Sequence, residues 1–311
     1  MLNLSNVESI LHPLFSKHNI IVKIKRDDLI HPIISGNKWR KLLGNVNFAQ
    51  TEKYQGILSF GGAYSNHIHA LAYTCQQHQL KAVGVIRGEQ AYRNNFTLSW
   101  AEHWGMQLRF VDRKTYRRRT EKQYLQELQQ QFPNYFIIPE GGSNQLALSG
   151  VAQLVTELKH QSDYDTLMLP VASGGTLAGI ISADTQHQLI GIAVLKGADF
   201  LTKTIDDLLV NQHLKHNNWR ILSEFHRGGY AKFSTEDSER LRAFSLQVGV
   251  PFEPIYSGKM VLALLDLIPT NYFPKNHTVM LIHTGGLQSL AGLAEQQKIN
   301  GQQWSLPKSA P

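Results

Sequence analysis

Four glycine-rich loops carry residue types suited to holding an anion: Gly61-Gly62-Ala63-Tyr64-Ser65-Asn66, Gly141-Gly142-Ser143-Asn144, Ser173-Gly174-Gly175-Thr176 and His283-Thr284-Gly285-Gly286. One such loop says little, because glycine also serves turns that bind nothing. Here three of the four directly follow predicted strands, and three place Ser or Thr at a helix entrance. Ser173–Thr176 is the best phosphate candidate. It joins the apolar run Thr166–Val171 to the helical pattern Leu177–Ala183, so backbone N–H groups can converge on an anion at a helix N-terminus. No Gly-Lys-Ser/Thr follows, as a nucleotide-binding P-loop requires, and no Gly-x-Gly-x-x-Gly is present, so a small monophosphate fits better than a nucleotide. A plain strand-to-helix turn is the alternative.

The second feature is Ser35-Gly36-Asn37-Lys38-Trp39-Arg40-Lys41. Lys38 follows a Gly-Asn turn at the start of a predicted helix. The helix dipole and the cations Arg40 and Lys41 would all favour its neutral amine, the form that attacks a carbonyl. On spacing alone a solvated surface lysine explains the same residues.

The elements that must position these groups alternate. Strands are predicted at Ile20–Lys25, Gly56–Phe60, Ala82–Arg87, Gln107–Val111, Tyr135–Ile138, Thr166–Val171, Leu189–Val194, Arg220–Glu224 and Thr278–Ile282. Helical patterns such as Asn66–Gln79, Leu146–Lys159, Thr235–Gln247 and Gly258–Leu267 lie between them. Ser234 with Asp237 reads as an N-cap and its acidic first turn. The alternation predicts an α/β protein with mostly parallel sheets. The 311 residues suit one large or two moderate domains. No run approaches the roughly 20 apolar residues that span a bilayer, and the first residues lack a secretory pattern. With Cys75 the only cysteine, a cytoplasmic protein without internal disulfides is expected. The net charge of +7 concentrates at Arg113, Lys114 and Arg117–Arg119. No nucleic-acid motif accompanies it, so a solvated helix start is the reading. The segment Gly301–Pro311 reads as a frayed tail.

Taken together, Lys25–Leu29, Ser35–Leu42, Gly62–His67, Gly141–Asn144, Pro254-Ile255-Tyr256-Ser257-Gly258-Lys259 and His283–Gly286 resemble, in order, the D-cysteine desulfhydrase and 1-aminocyclopropane-1-carboxylate (ACC) deaminase family. These are pyridoxal 5'-phosphate (PLP) enzymes of the tryptophan-synthase-β-like group, fold type II. The resemblance implies two open, twisted, mostly parallel α/β domains with the cofactor in the cleft between them. Residues 1–41 and 150–311 would form the larger domain, and 42–149 the smaller, inserted one. It also implies a homodimer, a small amino-acid substrate, and neither membrane nor nucleic-acid partner.

Residue by residue, the resemblance makes Lys38 the covalent anchor of the cofactor and the base for proton transfer. Asn66 would bond the cofactor's 3-hydroxyl oxygen, and Ala172, Ser173, Gly174, Gly175 and Thr176 would hold its phosphate. Ser65, with the backbone around Asn66 and His67, would grip the substrate carboxylate. Tyr256 would stand by the ring as a second acid or base, and Tyr230 either approaches the substrate or only packs. Ser257 and Thr284 stand where ACC deaminases usually carry Glu and Leu. A carboxylate beside the pyridine nitrogen would strengthen the ring as an electron sink, which opening a cyclopropane needs more than expelling a thiolate does. The neutral pair therefore points to α,β-elimination, with D-cysteine giving pyruvate, ammonia and hydrogen sulfide. ACC deamination or other chemistry on a β-substituted amino acid is the alternative, and a non-catalytic PLP-binding protein a second. Tyr64, His69 and Ala70 depart from the family pattern and bear on the substrate. His67 and His69, two apart on a helix, do not face one another and are not expected to bind metal. His283 reads as a structural residue at a strand end.

Overall fold

The computed structural model describes residues 5–210 and 217–307. In chain order the strands are β1 (Val7–Ile10), β2 (Ile21–Lys25), β3 (Gly56–Gly62), β4 (Lys81–Arg87), β5 (Met106–Val111), β6 (Tyr135–Ile137), β7 (Thr166–Val171), β8 (Gln188–Ala193), β9 (Trp219–Leu222) and β10 (Thr278–Ile282). The helices are α1 (Pro13–Lys17), α2 (Asn37–Thr51), α3 (Asn66–Gln77), α4 (Phe96–His103), α5 (Arg113–Arg117), α6 (Lys122–Gln131), α7 (Gln145–Gln161), α8 (Gly175–Ile181), α9 (Phe200–Leu209), α10 (Thr235–Val248), α11 (Ser257–Leu267) and α12 (Ser289–Glu295). Strands fall where the apolar runs predict them. β1 is the exception, because two of its four residues are polar and it lies at a sheet edge.

The chain divides into two compact units, Met1–Asn37 with Val151–Leu287, and Lys38–Gly150 with Gln288–Pro311. The first holds a six-stranded sheet in the order β1-β2-β10-β7-β8-β9, parallel except for β1 against β2. Central β7 is buried along its whole length, as a strand covered on both faces must be, and its sequence is accordingly a continuous apolar run. Pro170 is tolerated inside it because the ladder to β10 stops at Met168. α11 is buried on every side except at Asp266. α10 begins with the expected reciprocal cap: Ser234 Oγ accepts from Asp237 N at 3.0 Å, and Asp237 Oδ2 accepts from Ser234 N at 3.3 Å.

The second unit holds a four-stranded, all-parallel sheet in the order β5-β4-β3-β6. The C-terminal residues belong to this unit, although the sequence reading places them in the larger domain. α12 explains the difference. Glu295 Oε1 accepts from Phe96 N at 2.9 Å, putting a carboxylate on the first turn of α4. Gly292 lies so close to Tyr64 that a Cβ would come within 2.4 Å of its ring. Gly301, expected in a frayed tail, packs on Leu306 in a turn at Gly301–Gln303; residues 308–311 lie outside the described part. In the basic run, Arg118 pairs with Glu121 and Glu127, and Arg119 pairs with Glu140 while covering the Tyr116 ring. No helix among the described residues is long and apolar enough to cross a membrane.

Replacing Ser234 by Ala removes one half of the α10 cap. Urea unfolding should show a loss of about 1 kcal/mol with an unchanged denaturant slope.

Candidate active site

Strand order decides where each sheet can bind a ligand. In the first unit the chain steps outward from β7 to β8 to β9, then returns with β10 on the other side of β7. In the second it steps from β3 to β4 to β5, then returns with β6 beside β3. Each return creates a topological switch point, the place where loops at strand carboxyl ends part and leave a crevice. The loops flanking the first switch point are Ala172–Thr176 and His283–Gly286. Those flanking the second are Ala63–Asn66 and Ile138–Asn144. All four glycine-rich loops therefore sit at switch points.

In the first unit, Gly174 takes a left-handed conformation (φ 75°) and opens α8. The N–H groups of Gly175 and Thr176 belong to that helix's first turn and have no acceptor within it. Thr176 is buried, and its Oγ1 accepts from Asn37 Nδ2 at 2.9 Å. Asn37 N also donates to Thr284 O at 3.2 Å. Gly36 (φ 67°) lies against the same carbonyl so tightly that a Cβ would stand 1.9 Å from it. The residue preceding Lys38 is thus fixed to both loops of the switch point. Asn37 lies inside the motif that singled out Lys38, yet only the fold reveals its bonds.

Tyr256 and Ser257 start α11, and both depend on Glu253, which sequence reasoning missed. Glu253 is fully buried, and its carboxylate accepts from the N–H groups of Ile255, Tyr256 and Ser257 at 2.6–3.1 Å and from Ser257 Oγ at 2.9 Å. Burial pushes its pKa up to about 7 against the pull of those bonds. The Ser257 hydroxyl donates to Glu253 Oε1, and its oxygen accepts from Glu253 N at 3.3 Å. Thr284, buried at the end of β10, has no hydrogen bond from its hydroxyl among the described residues. Tyr256 Oη lies 2.9 Å from Tyr230 Oη. His283 is structural: its Nε2 donates to Pro251 O at 2.7 Å, its Nδ1 accepts from Gly285 N at 3.2 Å, and its ring stacks on Phe252.

In the second unit, Lys38 is part-exposed, but its amine is desolvated and its pKa falls to about 8. Burial is the cause here, rather than the helix terminus and the neighbouring cations that the sequence suggests. Charge coupling acts instead on its neighbours. Lys41 is buried, donates to Ser143 Oγ at 2.6 Å, and is pushed well below the lysine range by burial and by Lys38. His67 is held neutral by burial and by both lysines. Ser59 Oγ donates to the carbonyl of Ile138 at 3.1 Å, so it accepts from His67 Nε2 at 2.8 Å. Ser65 caps α3 by accepting from Ile68 N at 3.3 Å, which leaves its O–H to donate. The N–H groups of Asn66 and His67 lie in that helix's first turn without a helical acceptor. Asn66 is buried, and its side-chain amide pairs with no other described residue.

The departures at Tyr64 and His69 have packing roles. Tyr64 meets Gly292 and the edge of Tyr92, while the buried His69 stacks on Phe96 and meets Trp104 edge-on. No group of three His, Cys, Asp or Glu residues among those described could hold a metal ion.

Comparison with known proteins follows this geometry. The sequence profile of the family described as "pyridoxal-phosphate dependent enzyme" matches residues 10–285. A Thermotoga maritima protein named as a candidate ACC deaminase is 30% identical over 296 residues, covering 90% of this chain and 93% of its own. The Arabidopsis thaliana mitochondrial bifunctional D-cysteine desulfhydrase/ACC deaminase is 26% identical, covering 91% and 76%. A crystal structure of an ACC deaminase homologue superposes with a TM-score of 0.82 at 24% identity, covering 94% of this chain and 92% of that one.

With a pKa of about 8, roughly a tenth of the Lys38 amine is neutral at pH 7, against well under a thousandth for an ordinary lysine. In cofactor-free protein, aldehyde capture should therefore rise with pH and level off above about 8. A profile still rising steeply at pH 10, or one unchanged in Lys38→Arg, would contradict this. Asn37→Ala should weaken cofactor retention about fivefold through loss of one hydrogen bond, read by equilibrium dialysis.

Proposed function

Because the chain belongs to the family of pyridoxal-phosphate-dependent enzymes, we propose that it is a lyase performing α,β-elimination on a small amino acid, D-cysteine first. The products would be pyruvate, ammonia and hydrogen sulfide. Pyridoxal phosphate, when bound, supplies an electron sink for charge that develops at the substrate Cα. The chain's residues fit it: a lysine amine depressed to about 8, a left-handed glycine opening a helix, and unpaired polar groups on Asn66 and Thr284.

In this reading Lys38 anchors the cofactor, and Ala172, Ser173, Gly174, Gly175 and Thr176 hold its phosphate through backbone N–H groups and hydroxyls. Asn37 supports assigning both sets to one cofactor, since it precedes Lys38 in the chain and bonds Thr176. Asn66 donates its amide to the 3-hydroxyl oxygen. The Ser65 O–H and the N–H groups of Asn66 and His67 receive the substrate carboxylate. The neutral amine of Lys38 would also serve as the base that takes the substrate's Cα proton. Tyr256 stands by as the second proton carrier.

The observation that carries elimination over ring opening is the pair of neutral hydroxyls at Ser257 and Thr284. The carboxylate beside Ser257, on Glu253, is committed to capping α11. Thr284, whose hydroxyl pairs with no described residue, would be the better partner for the ring nitrogen. ACC deamination is the second reading, favoured by the names of the relatives. The homodimer belongs to the same proposal, and sedimentation velocity decides it.

Purified enzyme should release pyruvate and sulfide from D-cysteine faster than it releases 2-oxobutyrate from ACC. Thr284→Leu should lower elimination about tenfold. Preference for ACC, or an unchanged Thr284→Leu, would overturn the assignment.

A further inference from the structure

Lys259 is fully buried on α11, and no step above uses it. Its ammonium has three protons and three carbonyl acceptors: Val194 O at 3.1 Å, His226 O at 2.8 Å and Gly229 O at 2.5 Å. Val194 follows the end of β8, so one acceptor belongs to the rigid sheet. The other two belong to the segment after β9, which carries Tyr230.

That segment is a poor candidate for holding its own shape. Arg227, Gly228, Gly229 and Ala231 all have positive φ, at 51°, 89°, 108° and 53°, and two of these are not glycine, so the conformation costs free energy locally. Its internal backbone bonds are two tight turns, Gly229 N to His226 O and Lys232 N to Gly229 O. Lys259 donates to these same two carbonyls. Arg227 adds ion pairs to Asp266 and Asp237 at one end. At the other end Tyr230, 43% exposed, sets its hydroxyl 2.9 Å from that of Tyr256, with the rings edge to face at 5.9 Å. Lysine suits this task better than a neutral amide, because only an ammonium offers three donors with no acceptor of its own. Without it the carbonyls of His226 and Gly229 would keep only the turn N–H groups and lose their bridge to Val194 O at the end of β8.

We propose that Lys259 is a positioning residue: by fixing the carbonyls of His226 and Gly229 to the end of β8, it holds Tyr230 on the hydroxyl of Tyr256. Its effect on turnover rests on the placement of Tyr256 at the substrate. Its effect on the segment does not.

Two measurements on the holoenzyme test the two parts. Hydrogen exchange of the 226–232 segment should quicken at least tenfold in Lys259→Met, with exchange in β7 and β10 unchanged. Turnover should fall about tenfold in kcat with little change in KM, matching Tyr230→Phe, and the double variant should lose no more than either single one. If Lys259→Met fails to fold, Lys259→Gln, which keeps two donors, should show the same pattern at smaller amplitude. Unchanged exchange overturns the proposal. So does faster exchange with unchanged kcat, or losses that multiply in the double variant. A wild-type enzyme that turns over no amino acid sinks the functional reading, and the exchange result then decides the clamp alone.

Discussion

The backbone of Gly36 lies against the carbonyl of Thr284 with no room for a Cβ, and the site depends on that contact. It admits only glycine there, in a left-handed conformation. It also delivers Asn37 to two acceptors at once, the backbone of the loop after β10 and the hydroxyl in the loop after β7. The next residue is Lys38. A reactive amine must be held within fractions of an ångström of its partner atom. Here the chain is fixed one residue earlier, by contacts of Gly36 and Asn37 within the first unit.

The buried ionisable groups are managed in two ways. In the unit holding Lys38, cations lie close together, and desolvation with mutual repulsion pushes Lys41 and His67 well below their ordinary ranges. In the other unit the buried groups are saturated with hydrogen bonds, although burial pushes Glu253 up to about 7 and Lys259 down to about 8. Glu253 accepts from a whole helix start, and Lys259 donates to three carbonyls. These are supports rather than reagents. They let Tyr256 and Tyr230 stand at a helix entrance and on a strained segment without drifting.

Much of this was legible in the sequence. The apolar runs of β3, β7, β8 and β10 are long, punctuated and rich in β-branched residues, so their parallel pairing followed from the alternation with helices. The glycine loops are legible through their number and their place after strands, since any one of them could be a plain turn. The sequence does not disclose which group a side chain faces. Nothing in the letters shows that the Ser257 hydroxyl donates to Glu253, four residues earlier. The depressed Lys38 amine rests on desolvation, a property of packing that neighbouring letters do not disclose. The C-terminal helix was misplaced because its apolar face, with Leu290 and Leu293, suits either unit; Glu295 on the start of α4 decides it.

The account stands on Lys38 as the single covalent anchor. Borohydride reduction of the holoenzyme, followed by proteolysis and mass analysis, tests this directly. The account predicts one phosphopyridoxyl adduct, on the peptide containing Lys38. An adduct on Lys41 or Lys259, or none on any lysine, would contradict it.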